Sequence, residues 1–388
     1  MIDIAAVRAD TPGCEQRIHF NNAGASLMPE PVFRTVTGHL ALERMIGGYE
    51  AGAAAAQDLA AFYDECGGLL NCAPDEVAYV ENATRAWDMA FYSLPLSPGD
   101  RVITHAAEYA SNYLALLQQS RRRGFIIDLA PSDASGQVDV AALETMLRPQ
   151  TRLIALTHVP TQGGLVNPAE AVGRVARRHG IPYLLDACQS AGQLDLDVTR
   201  LGCDMLSATG RKFLRGPRGT GFLYVARATA EQLDPPFIDM RAATWTAPGE
   251  YELARGARRF ETWESQVAGR LGLLEAIRYA RRIGLPAIEQ RVGQLAGNLR
   301  EALAGCRGAE LLDLGERRSG IVSFRLTGEA PDSTQARLSE AGINVSVSDR
   351  RSAQIDFGAR GLDASVRASV HYFNTEGEIQ RFVDAVRR

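Results

Sequence analysis

One lysine lies in a run of residues whose types suit nucleophilic chemistry. Lys212 follows Thr209 and Arg211 within the segment Ser207–Gly221, and a turn rich in Gly and Pro comes after it. The basic residues of the chain are nearly all arginine, so a lysine at this point calls for a reason. An amine whose pKa is lowered can attack a carbonyl carbon, whereas a guanidinium stays protonated. Two interpretations are open at this stage: a surface lysine in a turn, or a lysine that forms a Schiff base.

Three further candidates follow predicted strands. Asp186 ends an apolar strand, where its carboxylate either pairs with a cationic ring nitrogen or caps the next turn. Tyr109 lies at a strand-to-helix junction, where its ring either stacks on a planar ligand or packs in the core. The turn Ala83-Thr84 opens a helical run and suits a phosphate, although Thr is also a routine helix cap.

The candidates all follow strands of one predicted sheet. Ligands of open parallel sheets bind at the carboxyl ends of the strands, so these residues are expected to meet. The set comprises Ala83, Thr84, Tyr109, Asp186, Gln189, Thr209, Arg211 and Lys212. It supplies a lysine, an anion for a pyridinium, an anion-binding turn and an aromatic face, which pyridoxal 5'-phosphate requires. The six cysteines show no Cys/His ligand spacing, so no metal is expected.

The elements that must position these residues are read from hydrophobic periodicity. From about Glu76 to Val225, short apolar runs alternate with amphipathic runs, which predicts βαβ units and a mostly parallel sheet. The predicted strands are Glu76–Val80, Arg101–Thr104, Phe125–Leu129, Leu153–His158, Pro182–Asp186, Met205–Ala208 and Gly221–Val225. Helices are predicted over Ser111–Arg122, Val140–Leu147 and Pro168–Arg178. An α/β fold with a seven-stranded sheet follows.

The pattern changes after about Ser265. Two long helices are predicted there, followed by three strands and a closing helix: Val267–Ile283, Pro286–Ala304, Gly320–Leu326, Asn344–Ser348, Val366–Tyr372 and Glu376–Val386. We therefore expect a large α/β domain over residues 20–265 and a smaller α+β domain formed by residues 1–19 and 266–388.

The composition is that of an ordinary globular protein. Of the 388 residues, 46% are hydrophobic, enough for a large core. The formal net charge of -4 gives no electrostatic footprint for nucleic acid or for an anionic membrane. No apolar run reaches the roughly 20 residues that cross a bilayer, and an early acid, Asp3, replaces the basic start of a signal segment. We expect a cytoplasmic protein with reduced thiols and no nucleic-acid or membrane partner.

A set of motifs spread over nearly the whole chain resembles the class V aminotransferase family of fold type I pyridoxal phosphate enzymes. The motifs are Ala83-Thr84, Tyr109, Asp186–Gln189, Thr209–Lys212, Gly216–Gly221 and Val366-Arg367. The resemblance implies a fold type I transferase in which Lys212 forms the Schiff base. It is strongest with the branch that includes hercynylcysteine sulfoxide lyases, isopenicillin N epimerase-like proteins and cysteine desulfurase-like proteins.

The resemblance also implies roles for the site residues. The cofactor phosphate is expected at Ala83, Thr84, Thr209 and Arg211, with Arg211 in place of the usual histidine. The cofactor ring is expected to contact Asp186 at its nitrogen and Gln189 near its 3-oxygen. Thr161 is expected beside the ring, and Tyr109 takes the place of the stacking histidine. The substrate's α-carboxylate is expected on Arg367 and on the backbone of Asn22, Ala23, Gly24 and Ala25. A carboxylate clamp implies an amino-acid substrate. Arg259-Phe260-Glu261 resembles an element that reaches a partner subunit, so a homodimer with the site at its interface is implied.

The family allows several reactions. Cysteine desulfurases carry a nucleophilic cysteine shortly before the carboxylate-binding arginine, and residues 346–362 contain none, which disfavours a persulfide-forming desulfurase. We therefore expect a carbon–sulfur β-lyase acting on a cysteine S-conjugate or sulfoxide and releasing pyruvate and ammonia, with Lys212, Asp186 and Tyr109 as catalytic residues. Racemisation or epimerisation, with Tyr109 as the second acid, and transamination are the alternatives. A pyridoxal phosphate-binding protein without turnover is the alternative from another class.

Overall fold

The computed structural model describes residues 2–388 as a chain of alternating helices and strands. The strands are β1 (Ile18–His19), β2 (Val77–Val80), β3 (Arg101–His105), β4 (Ile126–Ala130), β5 (Thr151–Thr157), β6 (Tyr183–Asp186), β7 (Met205–Thr209), β8 (Gly221–Val225), β9 (Ala243–Ala247), β10 (Glu250–Leu253), β11 (Ala309–Leu311), β12 (Ile321–Leu326), β13 (Ile343–Asn344), β14 (Ser346–Asp349) and β15 (Ala364–Ser369). The helices are α1 (Ile4–Ala9), α2 (Gly13–Gln16), α3 (Glu30–Ile46), α4 (Gly48–Ala54), α5 (Ala56–Leu70), α6 (Ala83–Tyr92), α7 (Ala110–Arg123), α8 (Val140–Met146), α9 (Ala169–His179), α10 (Val198–Leu201), α11 (Arg227–Ala230), α12 (Val267–Ile283), α13 (Leu285–Ala304), α14 (Pro331–Glu340), α15 (Gln354–Ala359) and α16 (Glu376–Val386). Short 3-10 turns occupy Pro74–Glu76, Gly256–Phe260 and Arg350–Ser352.

A seven-stranded sheet dominates the fold, with strand order β2-β8-β7-β6-β5-β3-β4. The pairs β4/β3, β3/β5, β5/β6 and β6/β7 are parallel, while β8 runs antiparallel to both β7 and β2. Five parallel strands therefore end at one edge, where ligands of such sheets bind. The predicted α/β class with a mostly parallel sheet of seven strands is confirmed.

Both faces of this sheet are buried except along its edge strand β4, which explains why the other strands read as nearly continuous apolar runs. On β6, Leu184 packs in one core cluster with Trp87 and Leu223, whereas its neighbour Leu185 packs in another with Phe62 and other residues. Successive side chains of a strand point to opposite faces, so each face of the sheet has its own core. Two rigid layers of packing thus fix the positions of the strand ends.

A second sheet, with order β11-β12-β15-β14, is antiparallel throughout and lies in the C-terminal part of the chain. It shares a core with α13 and α16 that includes Phe324 and Phe382. The short strand β1 pairs in parallel with β13, which brings the N-terminal segment to this part of the fold. The predicted smaller α+β part is therefore present, and its β15 carries Arg367.

The long helices α3, α12 and α13 pack as parts of the globular fold. The helix α12 lies against both α3 and α5, and eleven of its seventeen residues are buried. Among residues 2–388, no helix is both long enough and apolar enough to cross a membrane.

Candidate active site

Lys212 lines a cavity of about 260 Å³ at the carboxyl edge of the large sheet. Lys212 lies just beyond β7, and only 5% of its surface is exposed. Burial lowers the pKa of Lys212, and the charges of Arg211 and Arg367 lower it further, although the Cys188 thiol opposes the shift. A buried amine with a lowered pKa is the kind of nucleophile that attacks a carbonyl carbon.

The carboxylate of Asp186 forms another wall of this cavity, at the end of β6. One oxygen accepts a hydrogen bond from the Cys188 backbone N–H at 2.8 Å, and the other accepts one from Asn112 Nδ2 at 2.8 Å. Burial raises the pKa of Asp186, while these two donors and the charge of Lys212 counteract that rise. The carboxylate is thus oriented by two donors and is ready to pair with a cationic ring nitrogen.

The cavity has an anion-binding end at the N-terminus of α6. Ala83 and Thr84 lie in the first helical turn and line the cavity, and Asn82 caps the helix by accepting from Arg85 N at 2.9 Å. The positive end of a ten-residue helix and its free backbone N–H groups favour an anion. Arg211 also lines the cavity at this end of β7, so the cavity combines a helix N-terminus with a cation.

Thr209 and Tyr109 also line the cavity. The hydroxyl of Thr209 lies 3.3 Å from the carbonyl oxygen of Thr220 and 3.5 Å from Arg211 Nη1. Tyr109 precedes α7, and its backbone N–H donates to the Thr157 hydroxyl at 3.1 Å and to Glu108 Oε1 at 3.0 Å. These bonds hold the Tyr109 backbone, which places its ring at the cavity wall.

Arg367 and two of the predicted ring-side residues form a connected group beside the cavity. Arg367 Nη1 donates to the Thr161 hydroxyl at 2.7 Å and to the Thr161 carbonyl at 2.9 Å, and Gln189 Nε2 donates to the same hydroxyl at 3.0 Å. Burial lowers the pKa of Arg367 to about 10, as does the neighbouring charge of Arg211. Arg367 Nε and Gln189 Oε1 are buried and have no hydrogen-bond partner among residues 2–388. The group therefore offers two unused polar atoms to a ligand.

The N-terminal turn of residues 22–25 is committed to the fold rather than open to a ligand. The buried Asn22 side chain donates to the Ser369 carbonyl at 2.7 Å and accepts from Ser26 Oγ at 2.7 Å. The backbone N–H groups of Ala23, Gly24 and Ala25 bond to Ser369 Oγ or to the Asn21 carbonyl. Asn21, which sequence reasoning missed, faces Arg367 instead: its Oδ1 lies 3.4 Å from Arg367 Nη2.

Seven predicted cofactor residues line the same cavity: Ala83, Thr84, Tyr109, Asp186, Thr209, Arg211 and Lys212. Thr161 and Gln189 lie beside it with Arg367. The sequence analysis assigned no role to Asn112, Cys188 or Arg218, which also line the cavity.

The position of Asn112 could have been found from the segment Glu108–Asn112, because this segment follows β3 at the same edge of the sheet. The element Arg259-Phe260-Glu261 folds against its own chain, with Glu261 bonded to Tyr63 and to the Tyr79 backbone.

The side chains fit pyridoxal 5'-phosphate. A buried amine faces the cavity for the aldehyde, a carboxylate is available for the ring nitrogen, and a helix N-terminus with Arg211 is available for the phosphate. Beside the cavity, Gln189 Oε1 and Arg367 Nε have no hydrogen-bond partner among residues 2–388 and are available to polar groups of a ligand. The fold and the site together define a pyridoxal phosphate-dependent enzyme of fold type I.

The chain belongs to the class V aminotransferase family, whose sequence pattern, described as "Aminotransferase class-V", matches residues 18–382. A probable cysteine desulfurase from Methanothermobacter thermautotrophicus is 29% identical over 380 residues, which cover 96% of this chain and 95% of that protein. The apo structure of a cysteine desulfurase from Thermococcus onnurineus NA1 superimposes with a TM-score of 0.93 at 25% identity, covering 100% of this chain and 98% of the other. A cystine C-S lyase solved in complex with its reaction product cysteine persulfide gives a TM-score of 0.88 at 26% identity, covering 97% and 99%.

These comparisons confirm the family, the fold and the cofactor, pyridoxal 5'-phosphate. They overturn the expected reaction. The preference for a β-lyase that releases pyruvate and ammonia is wrong, because the relatives compared by sequence are named cysteine desulfurases or probable cysteine desulfurases, the reaction that the sequence analysis ranked below lyase, epimerase and aminotransferase. The lack of a cysteine between residues 346 and 362 does not exclude a desulfurase, because a persulfide can also form on a thiol outside the protein.

Proposed function

We propose that this chain is a cysteine desulfurase, which takes the sulfur from L-cysteine and leaves L-alanine. The observation that carries the proposal is a buried amine with a buried guanidinium beside it: Lys212 lines the cavity, and Arg367, held by Thr161 next to the cavity, is close enough that its charge lowers the pKa of Lys212. An amino acid has an amine to exchange with Lys212 and a carboxylate for Arg367. The likeness to cysteine desulfurases over nearly the whole chain supports cysteine as that amino acid.

Each residue has a defined task in this proposal. Arg367, held by Thr161 on one side, binds the α-carboxylate through Nε, which has no partner among residues 2–388, and through Nη2, which lies 3.4 Å from Asn21 Oδ1; this fixes the Cα–H bond in one orientation. Lys212 would be the base that takes the α-proton, since its lowered pKa favours the neutral amine. Asp186 keeps the ring nitrogen protonated. The bound pyridoxal phosphate supplies an electron sink for the bonds at Cα and Cβ.

The substrate sulfur is transferred to a thiol, and this transfer needs no added oxidant. The accepting thiolate bonds to the substrate sulfur as the carbon–sulfur bond breaks; Cβ keeps that electron pair and takes up a proton, so that cysteine and a thiol give alanine and a persulfide. Cys188 is the cysteine that lines the cavity, but burial raises the pKa of its thiol, which makes it a poor thiolate. We therefore assign the acceptor role to a thiol from solution.

The test is product analysis with purified protein loaded with pyridoxal phosphate. We expect L-cysteine and an added thiol such as dithiothreitol to give alanine and sulfide in equal amounts, because the thiol releases sulfide from its persulfide. Without the added thiol, we expect alanine still to form but less sulfide than alanine, since cysteine itself is then the acceptor in solution and holds the sulfur as a persulfide.

Two variants serve as controls in the same assay. Lys212→Ala removes the proposed base and is expected to form no alanine, whereas Cys188→Ala is expected to keep the wild-type rate within about threefold, because the acceptor is external. Pyruvate and ammonia in place of alanine would refute the desulfurase. A protein-bound persulfide that is lost in Cys188→Ala would refute the external acceptor.

The quaternary structure and the location are also proposals. We propose a homodimer, supported by the exposed apolar side chains Phe33, Met45 and Tyr49 on α3 and α4 and Trp245 on β9. We propose a cytoplasmic location, supported by the six cysteines, each of which has a free thiol in the structure.

A further inference from the structure

A buried carboxylate lies one side chain behind Asp186, and neither the cofactor contacts nor the proposed reaction uses it. Glu108 is 5% exposed, and its Oε1 accepts three hydrogen bonds: from Asn112 Nδ2 at 2.9 Å, from Tyr109 N at 3.0 Å and from Thr157 Oγ1 at 2.5 Å. Its Oε2 pairs with the Thr104 hydroxyl at 2.9 Å. An oxygen with three donors has no room for a proton, so Oε1 acts only as an acceptor.

The amide of Asn112 links this carboxylate to Asp186. Its nitrogen donates to Glu108 Oε1 at 2.9 Å and to Asp186 Oδ2 at 2.8 Å, so its two hydrogens serve two carboxylates. An amide that is free to turn by 180° would present its oxygen to Asp186 and repel it. Glu108 excludes that orientation, because the amide oxygen would then face Glu108 Oε1 as well.

We propose that Glu108 is a positioning residue of this enzyme: it locks the Asn112 amide so that Asp186 is held as an oriented anion for the cofactor ring nitrogen, and it holds the Tyr109 backbone beside the same ring. One side chain thereby connects three strand ends, since Thr104 is on β3, Thr157 on β5 and Asp186 on β6. The proposal rests on the pyridoxal phosphate site and holds whichever amino acid is the substrate.

The titratable groups that face Glu108 lie mainly on β6 and around Asp186. Asp186 faces it from β6 and raises its pKa, after burial and against the hydrogen bond from Thr157. Tyr183, also on β6, has a buried hydroxyl that finds no hydrogen-bond partner in the described part of the chain, and its pKa is raised by burial and, to a smaller extent, by Cys203 and Glu108. Beyond Asp186 come the Lys212 amine and the Cys188 thiol.

The test measures bound pyridoxal phosphate in the absence of cysteine, so it does not depend on the proposed desulfurase activity. The readouts are the pH midpoint of the visible absorbance of the bound cofactor and the dissociation constant of the cofactor. In Asn112→Ala we expect the midpoint to rise by about one pH unit, because an Asp186 that is held less firmly no longer keeps the ring nitrogen protonated. The positive charge of the ring nitrogen is then lost, and with it the repulsion that opposes protonation nearby. In Glu108→Ala we expect the same rise and an approximately tenfold weaker cofactor affinity, because Tyr109 is released too.

Two conservative variants separate positioning from burial. Glu108→Gln keeps an acceptor oxygen for Asn112, Tyr109 and Thr157, so its midpoint is expected within about 0.3 pH unit of wild type. Thr104→Val removes only the bond to Oε2 and is the matched control, with no expected shift. The double variant Glu108→Ala/Asn112→Ala is expected to shift no further than Asn112→Ala alone, because both changes break one connection.

Three results would overturn the proposal. A wild-type midpoint in Glu108→Ala or Asn112→Ala would show that Asp186 needs no support from this chain of contacts. A shift in Thr104→Val equal to that of Asn112→Ala would show a general loosening of the buried cluster. A shift in Glu108→Gln equal to that of Glu108→Ala would show that charge rather than position matters. If Glu108→Ala fails to fold, Asn112→Ala, Glu108→Gln and Thr104→Val decide the question.

Discussion

At the scale of residues, the site is a set of buried charges that lack enough partners within the chain. The charge of the half-buried Arg211 lowers the pKa of both Lys212 and Arg367, and Asp186 is the carboxylate that lines the cavity with Arg211 and Lys212. Burying like charges together is costly unless a ligand brings the opposite charge. A phosphate and an α-carboxylate would supply it, so the arrangement favours an anionic ligand in two places.

Arg367 provides the residue-scale prediction. Its planar guanidinium can bind a carboxylate through two parallel hydrogen bonds, which a lysine cannot do. We expect Arg367→Lys to raise the KM for L-cysteine about tenfold or more, because one charged hydrogen bond of about 1.5–3 kcal/mol is lost. The absorbance of bound pyridoxal phosphate should stay as in wild type, since Arg367 does not line the cofactor cavity.

Steady-state kinetics and an absorbance spectrum check this together. Thr161→Val is the companion variant: it removes the hydroxyl that holds Arg367 but leaves the Thr161 carbonyl bond, so a smaller rise in KM is expected. An Arg367→Lys protein with an unchanged KM would remove Arg367 from the substrate site.

At the scale of elements, the strand ends keep their positions because the helices pack tightly around the sheet. The helix α9 follows the loop that carries Thr161, and its Gly173 lies so near α10 that an added Cβ would be 1.9 Å from the Leu201 carbonyl oxygen. The helix must therefore move if any side chain is placed there. A shift of α9 would also disturb Asn167, which precedes the helix and bonds to the Thr157 carbonyl at 2.8 Å.

Gly173→Ala tests this packing. We expect the free energy of unfolding to fall by about 1–3 kcal/mol, the usual effect of overpacking a buried contact. Gly293→Ala is the matched control in α13, because no atom lies within 4 Å of its added Cβ; there we expect a gain of about 0.5–1 kcal/mol from helix propensity. Thermal and urea unfolding measure both. Equal midpoints for the two variants would contradict the close approach of α9 and α10.

At the scale of the whole molecule, the exposed apolar side chains lie mainly on elements away from the sheet. On α3 and α4, Met45 is 72% exposed and Tyr49 is 81% exposed, and on the β9–β10 hairpin Trp245 is 78% exposed. Several large apolar side chains exposed on a few elements are consistent with an interface between subunits. A second copy of the chain is the partner that the family resemblance implies.

The double variant Met45→Asp/Tyr49→Asp tests the dimer. We expect the wild-type protein to have about twice the 42.0 kDa chain mass by light scattering, and the variant to dissociate at micromolar concentration, because two charges would be buried without partners. Ile126→Asp, at an exposed apolar position on β4 at the far edge of the sheet, should remain dimeric. A monomeric wild-type protein would exclude the proposed homodimer.

The sequence by itself determined the fold class and most of the cofactor cavity. Hydrophobic periodicity is local, so it located the strands of the large sheet to within a few residues, and parallel strands must end at one edge, which brought Tyr109, Asp186 and Lys212 together. The resemblance to class V aminotransferases added the residues whose role has no local signature, such as Arg367.

The tertiary structure decided which side chains contact one another. Arg367 and Thr161 are 206 positions apart, and no periodicity links them. Asn21 rather than Asn22 faces Arg367, because the Asn22 amide is taken up by the Ser369 carbonyl and by Ser26. Asn112 bridges Glu108 and Asp186 only because β3 and β6 lie two strands apart in the sheet. Hydrogen bonds depend on distances of about 3 Å between separate elements, and those distances are fixed by packing rather than by spacing along the chain.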